Sequence, residues 1–194
     1  MPWDAAILAG GQARRFEGQD KSALPIAGVP LIDRQLAALR QLTTRIVIVG
    51  GPPDRFDGVG PPVVPDLLPE IGPLGGLYTA LRGASERIII LACDLPFVTA
   101  SFLEYLLRTG RDADVTLPRT ASGLHPLCAS YAADAAPRIR QLIDEGVRQV
   151  QEAIGSLRLH IVEGAALAPY DPDGRLLHNI NTPDDYARAI ALIE

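Results

Sequence analysis

Through the first half of the chain, short apolar runs alternate with amphipathic stretches. Asp4-Ala5-Ala6-Ile7-Leu8-Ala9, stopped by Gly10-Gly11, reads as a strand buried on both faces. Leu31, Ile32, Leu36, Leu39 and Leu42 recur at helical spacing, with Asp33, Arg34, Arg40 and Gln41 on the opposite face, so the pattern predicts a helix from Leu31 to Leu42. Arg45-Ile46-Val47-Ile48-Val49-Gly50 is a second buried strand, β-branched and ended by glycines, and Val63-Val64 is a short third one. A helix from Leu74 to Ala84 is entered through Gly72-Pro73. The run from Arg87 to Cys93 is the strongest strand signal, and the helix that follows, Ala100 to Arg108, has Thr99 as its N-cap. Such alternation implies a mostly parallel sheet with helices on both faces, joined by right-handed crossovers.

The second half departs from this rhythm. Asp114 to Leu117 and Pro126 to Tyr131 read as strands joined by the loop Arg119-Thr120-Ala121-Ser122-Gly123, which would add antiparallel strands to the sheet. Helices over Ala135 to Glu145 and Val147 to Ile154 come next, then a strand from Leu157 to Val162 and a last helix after Thr182-Pro183. The expected fold class is α/β: a single Rossmann-like domain, with a mostly parallel twisted sheet and some antiparallel strands in its C-terminal half.

Composition narrows the function classes. A chain of 194 residues holds one α/β domain with a full core, burying about 70% of the surface its unfolded form exposes. The net charge of -5 argues against a duplex nucleic-acid footprint. Cys93 and Cys128 are too few for a disulfide framework. Neither a leader pattern nor an apolar run near the roughly 20 residues of a membrane helix stands out, so the expected compartment is the cytoplasm.

In open α/β sheets, ligands bind at the carboxyl ends of strands, which directs attention to three segments. Gly10-Gly11-Gln12-Ala13-Arg14-Arg15-Phe16-Glu17-Gly18-Gln19-Asp20-Lys21 combines glycines that permit close backbone approach with cationic side chains, as a polyphosphate requires. It fits neither the dinucleotide GxGxxG fingerprint nor the GxxxxGK[ST] loop. Cys93-Asp94-Leu95-Pro96 sets a carboxylate after a buried strand, where Mg²⁺ is commonly held by one or two carboxylates plus substrate phosphates. Cys93 itself reads as core packing. In Asn179-Ile180-Asn181-Thr182-Pro183, Thr182 caps a helix, yet the two asparagines at alternate positions exceed what a cap needs. Among the histidines only His125, beside Pro126 at the start of a strand, is a candidate, because His160 and His178 show no metal-ligand spacing.

Leu8-Ala9-Gly10-Gly11 with Arg15, Gly18, Asp20 and Lys21, then Leu24-Pro25 and Gly28-Val29-Pro30-Leu31, closely resemble the signature of nucleotidyltransferases with a GT-A-like Rossmann fold. Within that group the chain is similar to the molybdenum cofactor guanylyltransferases. The likeness continues through Asp66, Gly72-Pro73-Leu74-Gly75-Gly76-Leu77, Cys93-Asp94-Leu95-Pro96, His125-Pro126 and Asn179 to Pro183.

The resemblance implies Mg²⁺-dependent transfer of GMP from GTP to the terminal phosphate of molybdopterin, with release of pyrophosphate. By it, Leu8, Ala9, Gly10 and Gly11 contact the nucleotide through the loop backbone, Lys21 and Arg15 the phosphates, Asp66 the nucleoside, and Asp94 both nucleotide and metal. His125, Asn179 and Asn181 fall on the acceptor side. Residues up to about 110 form the nucleotide half and those beyond it the acceptor half. Partners would be GTP, molybdopterin and, transiently, other proteins of cofactor synthesis or acceptor apoenzymes, with no nucleic acid and no membrane. Some family members carry an asparagine after the second strand, where this chain has Gly50-Gly51-Pro52. A cytidylyl- or sugar-nucleotidylyltransferase is the rival enzyme. A non-catalytic nucleotide-binding protein is the rival of another class, disfavoured because Asp94 and Lys21 are both present.

Overall fold

The computed structural model describes residues 3–10, 24–51 and 53–192. Its strands are β1 (Trp3–Leu8), β2 (Pro25–Ile26), β3 (Val29–Pro30), β4 (Ile46–Val49), β5 (Val63–Val64), β6 (Ala84–Ala92), β7 (Val115–Thr120), β8 (Gly123–Leu124), β9 (Cys128–Ala132) and β10 (Leu159–Val162). The helices are α1 (Leu31–Arg40), α2 (Pro73–Arg82), α3 (Ala100–Arg108), α4 (Ala136–Asp144), α5 (Val150–Ile154) and α6 (Pro183–Ala191).

The main sheet runs β10-β7-β9-β6-β1-β4-β5, with β8 paired to β7. β5, β4, β1 and β6 are mutually parallel, as the buried apolar runs predicted. Ala5, Ala6 and Ile7 of β1 are at most 1% exposed, because one apolar layer covers each face. Ile7, Ile48 and Ile89 pack with Leu36 and Leu39 of α1 and Phe102 and Leu106 of α3. On the other face Ala6, Val47 and Ile90 pack with Leu74 and Leu77 of α2, Ile139 of α4 and Ala153 of α5. Each fully buried Leu or Ile contributes about 1.5–3 kcal/mol, so these two layers supply the main driving force for the fold.

The antiparallel component is placed differently from a strand pair appended to the sheet. Within the row from β10 to β5, β9 alone is reversed: it lies between β6 and β7, antiparallel to both, while the two-residue β8 also runs antiparallel to β7. Pro126 and Leu127 belong to a turn closed by Cys128 N–H donating to the His125 carbonyl, so His125 precedes β9 rather than beginning it. β7 also extends through the expected loop to Thr120, which pairs with Gly123. Val147 to Gln149 do not join α5: Gly146 takes φ 97°, and Val147 N–H returns to the Leu142 carbonyl, capping α4. Likewise α1 stops at Arg40, with Leu42 and Thr43 N–H groups turned back to the Leu39 carbonyl. Thr99 and Thr182 cap α3 and α6 as expected, Thr182 in a reciprocal capping box with Asp185.

A small hairpin, β2–β3, was not predicted; its turn needs positive φ at Ala27 (49°) and Gly28 (75°). It is pinned by the Arg34 guanidinium, which donates to the Ile26 carbonyl at 2.9 and 3.1 Å. Its Leu24 and Ile26 bury against Leu31, Ile180 and Ala189, tying α6 to the start of α1.

β1 and β4 end in a close backbone approach. Gly50 has φ 83°, and a Cβ there would lie 2.5 Å from the Gly10 Cα. A left-handed φ costs roughly 1–2 kcal/mol outside glycine, and overpacking a further 1–3 kcal/mol. Gly50→Ala is therefore expected to lower stability by about 3 kcal/mol, read as a lower urea midpoint with unchanged slope.

Candidate active site

The order β5-β4-β1-β6 creates a topological switch beside β1, because the chain passes from β1 to β4 on one side and returns to β6 on the other. At the carboxyl ends of these strands lies a cleft of about 150 Å³, lined among the described residues by Leu8, Gly10, Asp66, Gly72, Pro73, Gly76, Ala92, Cys93, Asp94 and Leu127. Sequence positions far apart meet here because each closes one strand or opens α2. The N-terminus of α2, entered at Gly72 and Pro73, opens on the same space, where its partial positive charge favours an anion.

Asp66 follows β5 and is fixed by the helix opposite. Its Oδ1 accepts from the Leu68 N–H at 2.9 Å and lies 2.9 Å from the Thr79 hydroxyl, whose one proton is shared between it and the Gly75 carbonyl, also at 2.9 Å, while Thr79 Oγ1 accepts from Leu67 N–H. Oδ2 is thereby turned toward Gly10 and Gly76, lying 3.9 and 3.7 Å from where their Cβ atoms would be. Glycine at both positions leaves this carboxylate oxygen open to a ligand. Asp94 sits in the turn after β6. Cys93 N–H donates to the Leu8 carbonyl, and Ile180 N–H donates to the Asp94 carbonyl at 3.0 Å. Leu8 thus touches the site through its backbone and side chain, whereas Ala9 is 1% exposed with its N–H given to Val49. Cys93 is half-buried and lines the cleft as well as packing against the core, a wider role than core filling.

The expected acceptor residues come together at a second place. His125, Asn179 and Asn181 line a pocket of about 760 Å³ with His178, Asp185 and Arg188. It adjoins the cleft through Ile180, held between the two asparagines and bonded to Asp94, and through the turn from His125 to Leu127. His125 Nε2 lies 2.8 Å from the Thr120 hydroxyl. Gly11, Arg15, Gly18 and Lys21 lie outside the described residues. Two supporting residues were not read from the sequence: Thr79, which carries no local signal, and the buried Gln35, whose signal was a polar residue on the apolar stripe of α1.

The MobA-like NTP transferase domain is matched by residues 5–159, four-fifths of the chain. The chain belongs to that family. It is 34% identical to the molybdenum cofactor guanylyltransferase of Rhodobacter capsulatus, covering 94% of this chain and 92% of that one. It is 30% identical to the molybdenum cofactor guanylyltransferase of Desulfosudis oleivorans, covering 97% and 94%. Among solved structures, the molybdopterin-guanine dinucleotide biosynthesis protein A of Archaeoglobus fulgidus superposes with a TM-score of 0.83 at 27% identity, covering 98% of each chain. In this MobA-like chain the cleft therefore lies in a nucleotidyltransferase fold, and among the described residues no helix is long and apolar enough to cross a membrane.

Burial lowers the His125 imidazole below its ordinary 6.5, against a weaker upward pull from Asp171. Unfolded, this histidine protonates first as pH falls, so the folded state loses stability from the unfolded value down through the folded one. Above that window it contributes no pH dependence. Thermal melts from about pH 7.5 to 5.5 are expected to decline in the wild type and to flatten in His125→Gln.

Proposed function

We propose that this chain transfers GMP from GTP to the terminal phosphate of molybdopterin, yielding the guanine dinucleotide form of the molybdenum cofactor and pyrophosphate. One observation carries the reading: Leu8, Gly10, Asp66 and Asp94, drawn from three strand ends, line one cleft at the switch point. The names of the relatives agree with it. On this reading the first half, to about residue 110, serves the nucleotide, and the remainder serves the acceptor through His125, Asn179 and Asn181. A cytoplasmic site of synthesis accords with the expected compartment.

Asp66 Oδ2 faces the nucleoside, and the backbone from Leu8 to Gly11 lets the nucleotide approach closely. Lys21 and Arg15 neutralise the phosphates. Lys21 is the chain's one lysine among 18 basic residues, a single compact charge where every other cation is a planar fork. The Asp94 and Asp66 carboxylates supply hard oxygen donors on one cleft, and the described residues hold no cluster of three or more metal-ligating side chains. That donor set fits Mg²⁺, which takes most of its ligands from phosphates and water. Asp94 would hold it. Bound there, Mg²⁺ supplies neutralisation of phosphate charge.

In the transfer, an oxygen of the acceptor phosphate attacks the α-phosphorus of GTP. The bond from that phosphorus to the bridging oxygen breaks, and pyrophosphate leaves with the electron pair. The chain forms no covalent intermediate; its residues hold the reacting phosphates in line and stabilise developing charge.

Purified protein with GTP, Mg²⁺ and molybdopterin is expected to release pyrophosphate, and CTP, ATP and UTP to be poorer donors. Asp94→Ala is expected to slow turnover roughly a hundredfold or more, about 3 kcal/mol in barrier. Equal turnover of CTP would instead make it a cytidylyltransferase, and tight GTP binding without pyrophosphate release a binding protein. Because there is one lysine, amine-directed labelling of its side chain reports on one position. GTP is expected to protect Lys21 from trinitrobenzenesulfonate, and undiminished labelling at saturating GTP would remove Lys21 from the site.

A further inference from the structure

Gln35 lies on the apolar stripe of α1 between Leu31 and Leu39, with none of its surface exposed. Its carboxamide nitrogen donates to the Ala92 carbonyl at 2.6 Å and to the Leu95 carbonyl at 3.1 Å. An amide nitrogen has two protons, so both are committed to backbone oxygens on either side of Asp94. The orientation follows from the same partners, since an amide oxygen in that place would face two carbonyl oxygens.

Its own oxygen, Oε1, is buried and meets no donor among the described residues. Stability alone is a poor account of such a residue, because an unsatisfied buried polar atom offsets much of what two hydrogen bonds contribute. The rest of the turn is also tied down: Ala92 N–H to Leu127, Cys93 N–H to Leu8, and the Asp94 carbonyl to Ile180. Among the described residues Gln35 is the side chain in this set, and it comes from the helix that follows the β2–β3 hairpin.

We infer that Gln35 is a positioning residue for Asp94, holding the turn from Ala92 to Leu95 so that the carboxylate is set for the metal before the metal arrives. The inference rests on the proposed assignment of Asp94 to the metal. Gln35 lines no part of the cleft, so its effect falls on metal affinity and not on nucleotide affinity measured without metal. Residues that support a metal ligand typically change affinity 10- to 100-fold when altered.

The test titrates Mn²⁺, followed by its EPR signal, into the GTP complexes of wild type, Gln35→Met, Gln35→Leu and Asp94→Asn, with GTP affinity measured in parallel in EDTA. Both Gln35 variants are expected to bind Mn²⁺ about tenfold or more weakly, while GTP affinity in EDTA stays within about twofold. Wild-type Mn²⁺ affinity in the Gln35 variants, beside weakened binding in Asp94→Asn, would overturn the inference and leave the proposed function standing. Unchanged Mn²⁺ binding in Asp94→Asn would remove the metal assignment, and the inference with it. A second measurement needs no variant: in the wild-type GTP complex without metal, the Gln35 carboxamide protons are expected to be protected from solvent exchange, and to the same degree after Mg²⁺ is added. Carboxamide protons that exchange freely until Mg²⁺ binds would overturn the inference even if neither variant folds.

Discussion

β1 is hydrogen-bonded to β4 along one edge and to β6 along the other, in register from Ala5 to Leu8 on both sides. Everything at the cleft depends on that double pairing. A parallel strand buried on both faces must hand its chain to helices lying on opposite sides of the sheet, and connections that leave in opposite directions part above its carboxyl end. The gap receives whatever residues terminate β1, β4, β5 and β6. Here those are Gly10, Gly50, Asp66 and Asp94, two positions without side chains facing two carboxylates.

The double pairing also explains which parts of the molecule were legible in the sequence. β1, β4 and β6 each contain a continuous apolar run where both faces are buried, Ile88 to Ala92 in β6, and the site residues follow as the first polar or glycine positions after each run. Thr99 and Thr182 were legible because capping is local chemistry. The place of β9 was not, since insertion between β6 and β7 depends on pairing across 37 to 45 residues of sequence, from Leu91 with Cys128 to Arg87 with Ala132. The β2–β3 hairpin escaped because its strands are two residues long and its turn uses Ala27, an unusual residue at positive φ. Thr79 and Gln35 escaped for another reason: their partners are a side chain and carbonyls brought in by tertiary folding.

Reversal of β9 also places the pocket lined by His125, Asn179 and Asn181. A strand antiparallel to β6 begins where β6 ends, so the turn that precedes β9 arrives at the carboxyl edge of the sheet. Leu91 pairs with Cys128, and Ala92 N–H reaches the Leu127 carbonyl, which brings Leu127 to the cleft and His125 to the pocket beside it. A parallel strand in the same slot would have sent this turn to the far edge. The segment from Asn179 to Asn181 reaches the same edge by a different route, through Ile180 buried in the small cluster with Ile26 and Leu31. On the proposed reading, donor and acceptor regions meet because β9 is reversed and Ile180 is buried.

The absence of a side chain at position 50 constrains how a nucleotide can be read. Gly50 packs its backbone on Gly10 so closely that even a methyl group is excluded, so the asparagine of some family members has no room at this position. On the proposed reading, discrimination then falls, among the described residues, to groups fixed before the ligand arrives: the main chain at the end of β1 and the Asp66 carboxylate. Asp66 is well suited to that task, since Leu68 and Thr79 hold one of its oxygens and leave the other facing the cleft. A flexible asparagine would lose rotamer freedom on binding, whereas a carboxylate already held between the Leu68 N–H and the Thr79 hydroxyl loses little. On the proposed reading, the chain exchanges an adaptable side chain at the end of β4 for a rigid acceptor at the end of β5, and the close contact of two glycines makes that exchange necessary.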